Sequence, residues 1–131
     1  RFECYSLRAR KTLHGLMRID LWGEMIRSQR ALSVDYLATN PVDRPPEKGL
    51  KFIGSALIAS AVRRSQELGM LGRIWLESLP GAEGFYEALG FDRLDGASPD
   101  GYAMFFLDSH DALALLKTLH ERGIISDEKN D

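Results

Sequence analysis

The stretch Lys48-Gly49-Leu50-Lys51-Phe52-Ile53-Gly54-Ser55-Ala56-Leu57 sets two glycines, two lysines and a serine directly ahead of an apolar-periodic segment. Glycines before a helix let a guest approach bare backbone. The free N–H groups and dipole of a helix N-terminus favour an anion, most often a phosphate. Gly49 and Gly54 have the G-x-x-x-x-G spacing of a nucleoside-triphosphate loop, but that loop continues with Lys and then Ser or Thr. Here Ser55-Ala56 follows, so ATP chemistry is not indicated, and no G-x-G-x-x-G dinucleotide motif occurs. The alternative is that both glycines serve turn geometry alone. Asp35 is the second candidate: it lies in the apolar run 32–39 and shares a face with Leu37 and Thr39. A carboxylate in a buried strand is costly unless paired, which points either to general-base work or to a salt bridge with an arginine. Glu77 is the alternative base. His14, His110 and His120 lack metal-ligand spacing and are expected at the surface, so no metal is expected. Cys4 has no partner pattern to activate it and is expected as a buried apolar filler.

These residues need a scaffold. Residues 2–8 and 13–22 alternate as two strands turning near Arg10-Lys11-Thr12, and 23–30 reads as a polar loop. Residues 32–39 form a strong strand ended by Asn40-Pro41, and 41–49 a rigid loop with two adjacent prolines. The spacing of Leu57, Ile58, Ala61, Val62, Ser65 and Leu68 predicts an amphipathic helix over 54–68, closed by Gly69. A short strand (74–79), a short helix (82–89) and a strand pair (91–94 and 102–107) around the loop 95–101 come next. The last helix, 110–122, is capped by Asp108 or Ser109 and stopped by Gly123, with Leu113, Leu116 and Leu119 as its core stripe. Trp22, Trp75 and Tyr102 are expected to pack. The order β-β-β-α-β-α-β-β-α describes an α/β domain with a mixed sheet. Its strand–helix–strand unit across 54–68 makes strands 32–39 and 74–79 parallel neighbours.

A chain of 131 residues, 44% hydrophobic and 27% charged, suits one domain over 1–125, with a polar tail at 126–131. A net charge of −2 and pI of 5.9 supply no basic field, so neither nucleic acid nor an anionic membrane is expected as a partner. One cysteine excludes an internal disulfide and fits a reducing, cytoplasmic setting. The longest apolar run, 52–62, is about half of the ~20 residues that span a bilayer. The chain opens at Arg1 inside a strand, so further N-terminal elements are expected; a homodimer is allowed.

From residue 32 to residue 107 the layout resembles the GNAT superfamily of acyl-CoA-dependent N-acetyltransferases. "DYLATNP" resembles the central strand whose end binds acetyl-CoA, and "GLKFIGSALI" the pyrophosphate loop with its helix. Ala82, Phe85, Tyr86, Gly90 and Phe91 meet an A-x-x-F-Y-x-x-x-G-F pattern. Three positions depart from the family pattern: Gly49 stands where the loop has a basic residue, Phe52 where it has its middle glycine, and Leu79 where an Asn is common.

The resemblance implies a GNAT-like mixed central sheet with helices on both faces and acetyl-CoA as acyl-donor cosubstrate. The pyrophosphate would lie on Lys51, Phe52, Ile53, Gly54, Ser55 and Ala56. The pantetheine arm would pair with Leu37, Ala38 and Thr39 as an added strand where the two central strands diverge, with Phe85 against the cofactor. Tyr86 would stand beside the sulfur as the proton or hydrogen-bond donor, or else pack there on the cofactor or core. The resemblance names no base: Asp35, Glu77 or ordered water would take the amine proton. The implied function is N-acetyl transfer to an amine acceptor; the alternative is a GNAT-like acyl-CoA-binding or protein-interaction module without turnover.

Overall fold

The computed structural model describes residues 1–9, 11–40 and 49–126. Its elements are β1 (Phe2–Ala9), β2 (Thr12–Ile26), β3 (Gln29–Thr39), a π-helical turn (Gly49–Gly54) running into α1 (Ser55–Glu67), β4 (Ile74–Ser78), α2 (Glu83–Ala88), β5 (Asp92–Ala97), β6 (Ala103–Leu107) and α3 (Ser109–Glu121). The order is the one expected. All six strands form one sheet, β1-β2-β3-β4-β6-β5. Among the described residues only β3 and β4 run parallel; every other pair is antiparallel. The right-handed crossover rule therefore places the two central strands as predicted. Of the expected rigid loop 41–49 and polar tail 126–131, residues 41–48 and 127–131 lie outside the described residues, and Gly49 belongs to the helical turn rather than a loop.

The core follows the α1 stripe. Leu57, Ile58, Ala61 and Val62 are buried against Met17 and Ile19 of β2, Leu32 and Val34 of β3, and Ile74 and Leu76 of β4 in one cluster. Ser65 is also buried and donates to the Arg73 carbonyl at 2.8 Å. Leu68, at the end of the expected stripe, is exposed. On α3 the buried stripe is Ala112, Leu115 and Leu119, not Leu113-Leu116-Leu119; Leu113 faces outward. Asp108 caps α3, its carboxylate accepting from the Asp111 N–H at 2.8 Å.

Four expectations change. Residues 23–30 are not a loop but the end of a long β2–β3 hairpin. Arg27 and Ser28 both have positive φ (51° and 67°), as a two-residue primed turn requires. Gly23 makes that extension possible: at φ 64° a Cβ would lie 1.9 Å from the Ala31 carbonyl oxygen, and residues 21–23 bulge between the pairs Asp20↔Ser33 and Glu24↔Ala31. The hairpin tip is anchored at the far side of the sheet, where Arg27 pairs with Asp92 at 3.3 Å and stacks over Phe106. The fifth strand starts at Asp92 and runs on to Ala97, into the stretch read as a loop. Trp22 is 66% exposed rather than packed, and carries Arg1 over its ring. Cys4 is exposed, because Glu3, Tyr5 and Leu7 take the helix-facing side of β1 and leave Cys4 on the other.

Candidate active site

The site begins where the parallel pair ends. β3 and β4 are registered over only three pairs, Leu32↔Ile74, Ser33↔Trp75 and Val34↔Leu76. Beyond them β3 stays paired to β2 as far as Thr39↔Gly15, and β4 stays paired to β6 as far as Ser78↔Ala103. Each strand therefore keeps its outer neighbour and loses its inner one. Past Val34 and Leu76 the edges of the two strands that face each other, residues 35–39 on β3 among them, have no strand partner on that side among the described residues, which is the geometry of a slot for an extended guest.

The split starts at a bulge. Tyr36 pairs with Arg18 and Val34 with Ile19, so Asp35 is an extra residue without a cross-strand partner. Asp35 was expected on a buried face beside Leu37 and Thr39; the bulge turns it outward instead. Its carboxylate stands 3.6 Å from the Arg18 guanidinium, with 28% of the side chain exposed. Desolvation raises its pKa above the ordinary carboxylate value, against the lowering effect of Arg18 and with a further rise from Asp20. Glu77, first past the split on β4, is exposed and lies opposite Met104. Before the split, Trp75 donates its indole N–H to Ser33 Oγ at 2.6 Å, tying the strands together just ahead of their divergence.

At the C-terminal end of β3 the Asn40 backbone N–H donates to the His14 carbonyl and its side-chain amide to that of Leu13, both at 2.8 Å. The helical segment then begins at Gly49, one turn earlier than the expected start at Gly54. Gly54 sits at φ −61°, ψ −41°, inside the helix. The orphan N–H groups therefore belong to the first turn, from Gly49 to about Ile53, while those of Ser55 and Ala56 fall within the helical ladder. No acidic side chain occupies the first turn of either segment, and Gly54 supplies no side-chain cap. The dipole end thus keeps its attraction for an anion. Phe52, where the resembling pattern has a glycine, is accommodated without strain: among the described residues the positive-φ non-glycines are Arg27, Ser28 and Leu71, and the Phe52 ring is 55% exposed. The Lys48 and Lys51 side chains lie outside the described residues.

Tyr86 stands on α2, which follows β4. It is 7% exposed, held edge-on by Phe85 at 5.1 Å and Phe91 at 5.6 Å and tilted against Phe105 at 5.8 Å. Among the described residues its hydroxyl has no hydrogen-bond partner, yet its oxygen is not sealed from solvent. Burial pushes the phenol up to about 12. Asp92, Asp108 and Asp111 bring carboxylate oxygens within 4.8 Å of one another at the far side of the molecule; Arg27 on Asp92 and the capping role of Asp108 account for their positions.

The architecture is a GNAT-like fold. No protein-family model matches the sequence, and no curated protein matches it. Solved structures do. The KacTA–DNA complex superposes at a TM-score of 0.66 with 19% identity, over 89% of this chain and 74% of that one. A mutant AtaT toxin bound to the C-terminus of its antitoxin AtaR and acetyl-CoA gives 0.66 and 17%, over 88% and 72%. The AtaT–AtaR complex with DNA gives 0.65 and 19%, again over 88% and 72%. The expectation of no nucleic-acid partner does not stand, since chains of this fold occur in complexes on DNA. The physical reason is that a net charge of −2 describes one chain alone, whereas an assembly can meet phosphate through another subunit's cations. Among the described residues, no helix is long and apolar enough to cross a membrane.

Proposed function

We propose that this chain transfers the acyl group of acetyl-CoA to an amine acceptor. The observation that carries the reading is the split of β3 from β4 after three residue pairs, beside a helix start free of acidic residues. The pyrophosphate is read onto the first turn after Gly49, the pantetheine arm onto the open edge of Leu37, Ala38 and Thr39, and Phe85 against the cofactor. The acceptor amine attacks the thioester carbonyl; the N–H of Leu37 or Ala38 stabilises the developing oxyanion. Asp35, with its raised pKa, takes the amine proton directly or through water. The carbon–sulfur bond then breaks and the thiolate leaves.

Tyr86 is the group read at the sulfur. A phenol at about 12 lies above a free thiol at ~8.5, so full proton transfer to the thiolate is uphill by roughly 5 kcal/mol. Its role is therefore a hydrogen bond to the departing thiolate rather than prior protonation. A second reading, an acyl-CoA-binding or protein-interaction module without turnover, is favoured by the displaced helix start. The antitoxin AtaR bound to AtaT fits a protein partner for either reading.

The test is release of free coenzyme A thiol from acetyl-CoA with a library of amines. Turnover is expected with at least one amine, with an acid limb above the ordinary aspartate range that Asp35→Asn abolishes. Binding of acetyl-CoA without thiol release from any amine supports the module reading instead.

A further inference from the structure

Gly15 is a buried residue of β2 paired with Thr39, the last residue of β3. Its φ lies outside the left-handed region, so the backbone there accepts any residue. What excludes a side chain is space: a Cβ would stand 2.5 Å from Ile53 Cγ2, 3.0 Å from Leu57 Cδ1 and 3.5 Å from the Ala38 carbonyl oxygen. Farther along the same face Met17 and Ile19 carry full side chains under α1. At Gly15 the strand is bare, and Ile53 of the first helical turn drops into the gap.

We propose that Gly15 is a positioning residue for the coenzyme site. The missing side chain is the seat of Ile53, and that seat holds the N–H groups of the first turn against the end of β3, beside the opening between the strands. This rests on the acyl-CoA reading, since the turn is the one assigned to the pyrophosphate. Gly15 itself touches no substrate; it acts through Ile53. A methyl group at 2.5 Å from a carbon must be relieved by movement, and a single helical turn yields more readily than an interior β2–β3 ladder.

The test is a double-mutant cycle on the full chain with coenzyme A as the probe. Gly15→Ala should raise the calorimetric Kd for coenzyme A about tenfold. At saturating acetyl-CoA its kcat should stay within about twofold of wild type, because only cofactor binding is disturbed. Ile53→Ala in the same chain removes the colliding Cγ2 and should recover most of the lost affinity. In the ligand-free protein, amide exchange over residues 53–57 should accelerate in Gly15→Ala and slow again in the double variant. Unchanged affinity and exchange in Gly15→Ala, or a double variant no better than the single one, overturns the assignment. If wild type binds no coenzyme A, the acyl-CoA reading fails by itself; the exchange data still decide whether Gly15 seats the helix start. If Gly15→Ala does not fold, recovery of folding by Ile53→Ala supports the seat, and continued failure refutes it.

Discussion

At the scale of single residues, Tyr86 separates a catalytic hydroxyl from a packing ring. Its three aromatic contacts use the ring alone, and its hydroxyl has no partner among the described residues. Tyr86→Phe should therefore leave coenzyme A affinity and Tm nearly unchanged. If the hydroxyl meets the thiolate, kcat should fall roughly 10²-fold, the scale of a positioned donor; a kcat within a few-fold of wild type removes Tyr86 from the chemistry. The alkaline side gives a second readout. The phenol is raised from 10 in the unfolded chain to about 12 in the folded one, so its contribution to stability is complete below pH 10 and is lost as pH rises through 12. Urea midpoints should decline less over that window for Tyr86→Phe. Neither Asp35 nor Cys4 was legible to this depth. Counting alternate residues put Asp35 on the inner face, and one bulged residue undid the count. The apolar type of Cys4 argues for burial, whereas β1 turns Glu3 and Tyr5 toward α1 because both serve a hydrogen-bonded group around Arg64.

At the scale of elements, the docking of α1 on β1 is fixed by that group. Arg64 grips the Glu3 carboxylate with Nε at 2.9 Å and a terminal nitrogen at 3.0 Å, and reaches Glu67 at 3.1 Å. The hydrogen bond from Arg64 is the largest of the effects that lower the Glu3 pKa. A depressed carboxyl contributes stability that is present above its unfolded pKa and lost as pH falls through its folded one. Arg64→Ala should lower Tm at neutral pH, and the gap to wild type should close as the pH falls through the lowered folded pKa of Glu3. A gap that persists in acid would mean that lost packing of the arginine stem, not the ion pair, carries the effect. The body of this helix was readable because its stripe repeats every three to four residues. Its start was not: the glycines of 49–54 looked like a loop, but Gly54 has an ordinary helical conformation and the chain coils a turn early. The β2–β3 hairpin was missed for a related reason. Arg27-Ser28 is not a customary left-handed pair, and only Gly23 in that stretch signalled a bulge.

At the scale of the molecule, the order of elements and the parallel central pair were legible, because a strand–helix–strand unit leaves one handed solution. The insertion of β6 between β4 and β5 was not, since local patterning says nothing of which edge a late hairpin joins. The arrangement of elements makes a claim about binding that no single residue makes: the helix start at Gly49 and the strand opening past Val34 both belong to the site, and a ligand long enough to touch both is held by both. Coenzyme A should therefore stabilise the fold by more than the sum of its pieces. At a hundred times Kd, mass action gives about 2.7 kcal/mol, which for a chain of this size is roughly 8–14 °C in Tm. Adenosine 3′,5′-bisphosphate, which offers phosphates but no arm, and pantetheine, which offers the arm alone, should each shift Tm by a degree or two at the same concentration, because neither gains the effective concentration that linkage provides. Hydrogen exchange should show the bisphosphate protecting the start of the helix, pantetheine protecting the 37–39 edge of β3, and coenzyme A both. If the bisphosphate alone reproduces the full shift, the opening between β3 and β4 takes no part in binding, and the chain grips the nucleotide end only.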